Sequence, residues 1–195
     1  MLCCAMTTAL RTFLRGEWAL AKRVEYERGG AYGTWRGLAT FSSDEDDAEA
    51  SSMLRYSEDG AFEFDARLGE LVLANGVPLL YDCSTAPARV YFAEDPPKFF
   101  HELDLNPRHR PTSATFEHLC VADLYSGELR ITSDDRFAIE WRVFGPTKHG
   151  TVRQEYTRRR PPPTIEAGIL SQRLSRAATI SASVSEGIET KRNSG

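Results

Sequence analysis

No apolar run in this chain approaches the roughly 18 residues that a membrane-crossing helix requires. Cysteine is scarce, and Cys3, Cys4, Cys83 and Cys120 form an adjacent pair followed by two isolated thiols. That spacing fits neither a zinc site nor a secreted disulfide framework, so a reducing compartment, the cytoplasm, is the expectation. Gly-x-Ser-x-Gly, a phosphate-cradling glycine loop and His-Glu-x-x-His are all missing, which removes the commonest hydrolase and nucleotide-binding signatures. An excess of positive charge is missing too: the formal net charge is -4, giving no general reason to expect a nucleic-acid partner. The basic run Arg158-Arg159-Arg160 reads as the end of a strand. The opening from Met1 to Gly16 lacks a signal-peptide core. Its Arg11 and Arg15 with Leu10, Phe13 and Leu14 allow a mitochondrial presequence, and the plainer reading is a short helix capping the domain. Acylation of Cys3 and Cys4 lacks its companion signal, because Leu2 stands where myristoylation needs glycine.

Long segments of helical period are also absent between Glu17 and Arg159. In their place come short runs of β-formers ended by turn residues: Gly29-Gly30, the acidic stretch Asp44 to Glu49, Asp59-Gly60, Leu68-Gly69, Asn75-Gly76, Asp95-Pro96-Pro97, Ser126-Gly127, Ser133-Asp134-Asp135 and Gly145-Pro146. The spacing predicts strands near 17–27, 33–42, 52–58, 61–67, 70–74, 78–83, 88–94, 98–104, 114–123, 126–132, 136–144 and 151–159, a few of which merge. Alternation is clearest where Phe137, Ile139, Trp141 and Val143 share one face and Ala138, Glu140, Arg142 and Phe144 the other. A meander of about eight to ten antiparallel strands removes its unpaired edges most simply by closing. The fold class expected is therefore all-β, an antiparallel up-and-down β-barrel over 13–160, preceded by an extension over 1–12 with a short N-terminal helix. Three consecutive prolines at Pro161 to Pro163 then stop the last strand, and the aromatic-free remainder, 161–195, is expected to be a disordered tail.

Several motifs recur in a recognisable order: Phe13-Leu14-Arg15-Gly16-Glu17-Trp18, Phe100-His101, His118-Leu119-Cys120-Val121-Ala122-Asp123-Leu124-Tyr125, Trp141-Arg142-Val143-Phe144-Gly145-Pro146-Thr147-Lys148 and Tyr156-Thr157-Arg158. Over about residues 13 to 159 this order resembles a lipocalin-like, calycin-type family, the domain of unknown function 6314. The sequence departs from that pattern at Asp95-Pro96-Pro97-Lys98 and in the acidic loop after Phe41. The resemblance implies a calycin-like barrel in which an arginine of the last strand, Arg158, covers the first-strand Trp18 through a cation–π contact. It implies no activity, so function rests on individual residues.

His118 and Cys120 lie two apart on one strand and so share a face; Asp123 and Tyr125 follow. A hydrogen-bonded internal histidine is the plainer reading of His118, against a ligand or metal site. His101, on a neighbouring strand, supplies a second imidazole if the register lets it converge, and a haem or metal then gains plausibility by analogy with haem-binding calycin barrels. Tyr156 and Arg158 share a face that Arg142 is positioned to approach, resembling the groups with which fatty-acid-binding barrels hold a carboxylate. With Trp35, Tyr56, Tyr81 and Trp141 as inward aromatics, the reading is a barrel binding a small hydrophobic or amphipathic ligand through His118, Cys120, Arg142, Tyr156, Arg158, His101, Trp141 and Tyr81. Two alternatives accompany it. One is an enzyme using His118 as general base with Asp123 or Tyr125 orienting it; the other is an interacting barrel regulated at Ser42, Ser43 and Ser175. No cofactor is identified.

Overall fold

The computed structural model describes residues 9–29, 31–43, 52–65, 71–105 and 112–160. Cys3, Cys4, the acidic stretch Asp44 to Glu49, Leu68-Gly69, Ser175 and the expected tail lie outside the described residues. A helix over 9–14 leads into eleven strands: β1 (Gly16–Arg28), β2 (Tyr32–Ser42), β3 (Met53–Phe64), β4 (Leu71–Leu73), β5 (Leu79–Asp82), β6 (Ala88–Phe92), β7 (Lys98–Leu103), β8 (Thr112–Cys120), β9 (Asp123–Ser133), β10 (Arg136–Phe144) and β11 (His149–Arg158). They form one antiparallel sheet in the order β7-β6-β5-β3-β2-β1-β11-β10-β9-β8, with the short β4 paired to β3 off that path. The two terminal strands of the order, β7 and β8, adjoin. The result is a nearly closed barrel of ten strands.

Two turn expectations fail for the same physical reason. Asp59-Gly60 does not separate two strands; it lies inside β3, where Gly60 faces Gly37 of β2. A Cβ on Gly60 would sit 2.5 Å from the Trp35 ring and 2.4 Å from the Arg36 carbonyl oxygen, so the glycine makes room for an indole lying across the sheet. Ser126-Gly127 likewise runs inside β9, where Gly127 opposes Phe116 and a Cβ would stand 2.1 Å from that ring. The actual β8–β9 turn is Val121-Ala122, with Cys120 paired to Asp123. Val121 adopts φ 60°, a conformation usually left to glycine or asparagine, and therefore carries no turn signal in the sequence.

The alternation expected of β10 holds: Phe137, Ile139 and Val143 are buried and Arg142 and Phe144 exposed. In β1 the same period turns Trp18 and Leu20 inward. The β1–β11 register sets Arg158 directly opposite Trp18. Its guanidinium lies 4.1 Å from the Trp18 ring centroid and donates to the carbonyls of Arg15, at 3.1 Å, and Phe13. The Trp18 indole N–H donates to the Leu14 carbonyl at 2.7 Å, and Leu10 and Leu14, one helical turn apart, bury their side chains in the core. One end of the barrel is thus sealed by helix, indole and guanidinium together.

Two histidines span the seam between β7 and β8. His118 of β8 holds its Nδ1 3.1 Å from the Phe100 carbonyl of β7, a side chain standing in for a ladder hydrogen bond. His101 of β7 stacks on Phe116 of β8, with centroids 4.1 Å apart and planes within 11°. Its Nδ1–H donates to its neighbour's carbonyl at Glu102, 3.2 Å away. Burial, with a smaller contribution from nearby His118, lowers the His101 pKa to about 4.

Truncation at Arg158 tests the seal. Arg158→Ala is expected to destabilise the fold by about 3 kcal/mol, combining a cation–π contact with lost hydrogen bonds to helix-end carbonyls. In urea denaturation the midpoint should fall with the slope unchanged. The seam predicts an acid-labile fold. The unfolded chain takes up a proton at His101 below about pH 6.5, whereas the folded one resists protonation down to about pH 4. Stability should therefore drop by up to about 3 kcal/mol across that window from this group. In His101→Phe the same pH ramp should be shallower by that amount; equal slopes for the two proteins would refute the assignment.

Candidate functional site

Registers fix the interior. Opposed residues of antiparallel strands share a face, so Lys22 of β1 joins Trp35 of β2 and Gln154 of β11 in one inward row. Tyr56 and Glu58 of β3 project inward opposite Phe41 and Ala39. Because Gly37 and Ala39 leave β2 flat here, the Lys22 side chain crosses that strand over the Trp35 indole, 4.8 Å from its centroid, and meets Glu58. The ion pair is nearly dry, with side-chain exposures of 14% for Lys22 and 4% for Glu58.

Tyr56 donates its hydroxyl proton to the other Glu58 oxygen. Its own oxygen then accepts from the Tyr156 hydroxyl at 2.9 Å, since each phenol carries one proton. Tyr156 also lies 3.4 Å from the Gln154 amide. Burial raises the pKa of both phenols well above the ordinary value, so both stay protonated and able to donate. Tyr81 approaches the same cluster, 6.0 Å from Tyr56 between ring centroids. It is 4% exposed, and its hydroxyl has no hydrogen-bond partner among the described residues.

This polar cluster borders a cavity of about 260 Å³. Aromatic rings supply much of the remaining wall: Phe92, Phe100, Phe116, Trp141, Tyr125 and Tyr26. Leu129, Ile139 and Val152 complete it, and the exposed Val77 marks where it meets solvent, away from the end sealed by Trp18. Near Tyr125, the Lys148 ammonium donates to the phenol oxygen at 3.1 Å. Asp123 is buried and occupied: its carboxylate accepts the N–H groups of Thr147 and Lys148 at 2.9 and 3.1 Å and the Thr147 hydroxyl, contacts that lower its pKa.

Four of the eight residues singled out in the sequence border the cavity: Tyr81, His101, Trp141 and Tyr156. The other four do not. His118 is half-buried with its imidazole on the Phe100 carbonyl, and Cys120, in phase with it on β8, lies exposed at the strand end beyond the barrel wall. Arg142 sits on the outer face beside Glu140, on the strand side opposite Trp141. Arg158 is engaged at the sealed end. The carboxylate clamp expected of Arg142, Tyr156 and Arg158 is therefore not assembled. Asp123 is held by Thr147 and Lys148, the His118 Nδ1 faces the Phe100 carbonyl, and Tyr125 stands opposite His118 across the β8–β9 pair. His101 and His118 do approach one another, both packed on Phe100, yet no cluster of three or more potential metal-ligating side chains occurs among the described residues.

Lys22, Glu58 and Gln154 were not anticipated. The available signal is a charge on the apolar phase of a strand: Lys22 follows Trp18 and Leu20 at period two, and Glu58 follows Leu54 and Tyr56. Reading Asp59-Gly60 as a turn put Glu58 at a strand end, where an acid needs no explanation.

No curated protein matches the chain. Among solved structures, the S-type phycobiliprotein lyase of Guillardia theta has a similar fold, with TM-score 0.55 at 6% identity, covering 80% of this chain and 93% of the lyase. Two proteins whose structures hold DFHBI match less well. They are the redesigned β-barrel mFAP1, at TM-score 0.35, and EF1p2_mFAP2b, at 0.36. Each is 10% identical; coverage is 76% of this chain and 97% of mFAP1, and 79% of this chain and 99% of the other. No helix among the described residues is long and apolar enough to cross a membrane. The sequence profile of the family of unknown function DUF6314 matches residues 14–158, and the chain, with its sealed barrel and aromatic cavity, belongs to that family.

Proposed function

We propose that this barrel binds a small, mainly apolar ligand in its interior, with the ligand body among the aromatic rings and its polar end toward the Glu58 cluster. One observation carries the reading: a cavity of about 260 Å³, walled largely by aromatic side chains, lies beside a buried polar cluster. Protein interiors pack to crystal-like density and leave few voids larger than a water. An apolar chamber with a few convergent polar groups is the usual makeup of a small-molecule site. The residues assigned to it are Tyr81, His101, Trp141, Tyr156, Lys22 and Glu58. An internal carrier or sensor role fits this geometry better than catalysis by His118 and Asp123, neither of which borders the cavity.

Native mass spectrometry of the protein isolated from its own cells is expected to show a small-molecule adduct that denaturation releases. Separately, 2-ethylnaphthalene should bind one-to-one and perturb the fluorescence of Trp141. Val152→Phe, which pushes a ring into the chamber, should weaken that binding by ~10-fold or more, about 1.4 kcal/mol, in a protein that still melts cooperatively. A bare-chain mass in every preparation, with no saturable naphthalene binding, would overturn the proposal.

A further inference from the structure

Among the described residues, the cavity wall carries no uncompensated charge. The Lys22 ammonium and Glu58 carboxylate cancel, His101 is neutral near pH 7, and the nearby Lys148 is set against Tyr125 and the Asp123 carboxylate. The two arginines that might have received an acid, Arg142 and Arg158, lie elsewhere. A carboxylate entering this space would surrender its hydration and find the one ammonium of the wall already paired, while lying close to Glu58.

Donor capacity beside the Glu58 cluster is nonetheless unfilled. Tyr81 is buried, borders the cavity and gives its hydroxyl proton to no described residue. An ammonium has three N–H donors, and among the described residues the hydrogen-bond acceptor set against Lys22 is the Glu58 carboxylate. A hydroxyl that borders the cavity and meets no protein acceptor is open to a ligand, so a ligand that offers an acceptor there gains more than one that offers only surface. The wall around it is aromatic, with Trp141 and Phe100 stacked at 5.5 Å and 21°, which suits a flat ring system.

From this juxtaposition, and resting on the reading that the chamber holds a ligand, we infer that the ligand is an uncharged planar aromatic molecule. It bears a hydrogen-bond acceptor, of the carbonyl type, that the Tyr81 hydroxyl and the Lys22 ammonium receive. Ligand and protein exchange no atoms in this reading; binding is reversible and proton-neutral.

Three probes of nearly equal size separate the possibilities: 2-acetylnaphthalene, neutral with an acceptor; 2-ethylnaphthalene, neutral without one; and 2-naphthoate, an anion. Titrated at pH 7 against the full chain by calorimetry and tryptophan fluorescence, 2-acetylnaphthalene should bind ~5-fold or more tightly than 2-ethylnaphthalene. It should bind ~10-fold or more tightly than 2-naphthoate. Tyr81→Phe keeps the ring and its contact with Phe41 while removing the donor; measured on the variant itself, the ratio of 2-acetylnaphthalene to 2-ethylnaphthalene affinity should fall to about one. Equal binding of all three, or tightest binding of the naphthoate, overturns the inference while leaving a ligand chamber in place. Failure of all three to bind overturns the chamber itself. The comparison among probes on the unsubstituted protein stands whether or not the variant folds.

Discussion

A carboxylate buried inside a β-barrel must be answered, and much of this interior is organised by the answer to Glu58. The ion pair with Lys22 depends on three adjacent strands. Gly37 and Gly60 let the Trp35 indole lie across the sheet, the indole supports the lysine stem and ammonium, and the ammonium reaches Glu58 over the small side of β2. Tyr56 takes the second carboxylate oxygen, and Tyr156 and Gln154 extend the chain to β11. An isolated charge in this position would be untenable, and a pair of aliphatic residues would often be as stable. What the polar cluster adds is direction: it gives an otherwise apolar chamber one end that differs from the other.

Closure is achieved by two unlike devices. On the β1–β11 side the sheet is continuous, and register alone brings Arg158 over Trp18. On the β7–β8 side the backbone ladder is interrupted, and the join relies on imidazoles: one hydrogen-bonded to a carbonyl, one stacked on a ring. In each imidazole the Nδ1 is hydrogen-bonded to a backbone carbonyl and the ring packs on aromatic neighbours, and the burial that lowers the basicity of His101 follows from the same packing.

Most of the fold was legible because barrel strands write their inside and outside faces at period two, and β10 does so in plain view with Phe137, Ile139, Trp141 and Val143. The turns were less legible wherever glycine served a neighbour's ring in place of a bend, as at Gly60 and Gly127, or where a bend used Val121 with no turn residue at all. The site was half legible. Large aromatics on inward phases, Tyr81, Trp141 and Tyr156, could be named from alternation. Alternation put Arg142 and Trp141 on opposite faces of β10, but that period alone does not say which face looks inward. Lys22 and Glu58 are invisible to hydrophobic patterning because they pair across an intervening strand, a relation that only register supplies.

The joining of β1 to β11 has a consequence for how the chain reaches this state. Arg158 contacts the carbonyl of Arg15, 143 positions earlier, so the seal cannot form until nearly the whole domain has left the ribosome. Until then β1 and β10 each present a naked edge, and the nascent chain must wait, open-sided, for its final strand. A barrel built this way is assembled from both termini at once, and it becomes a container only with its last strand.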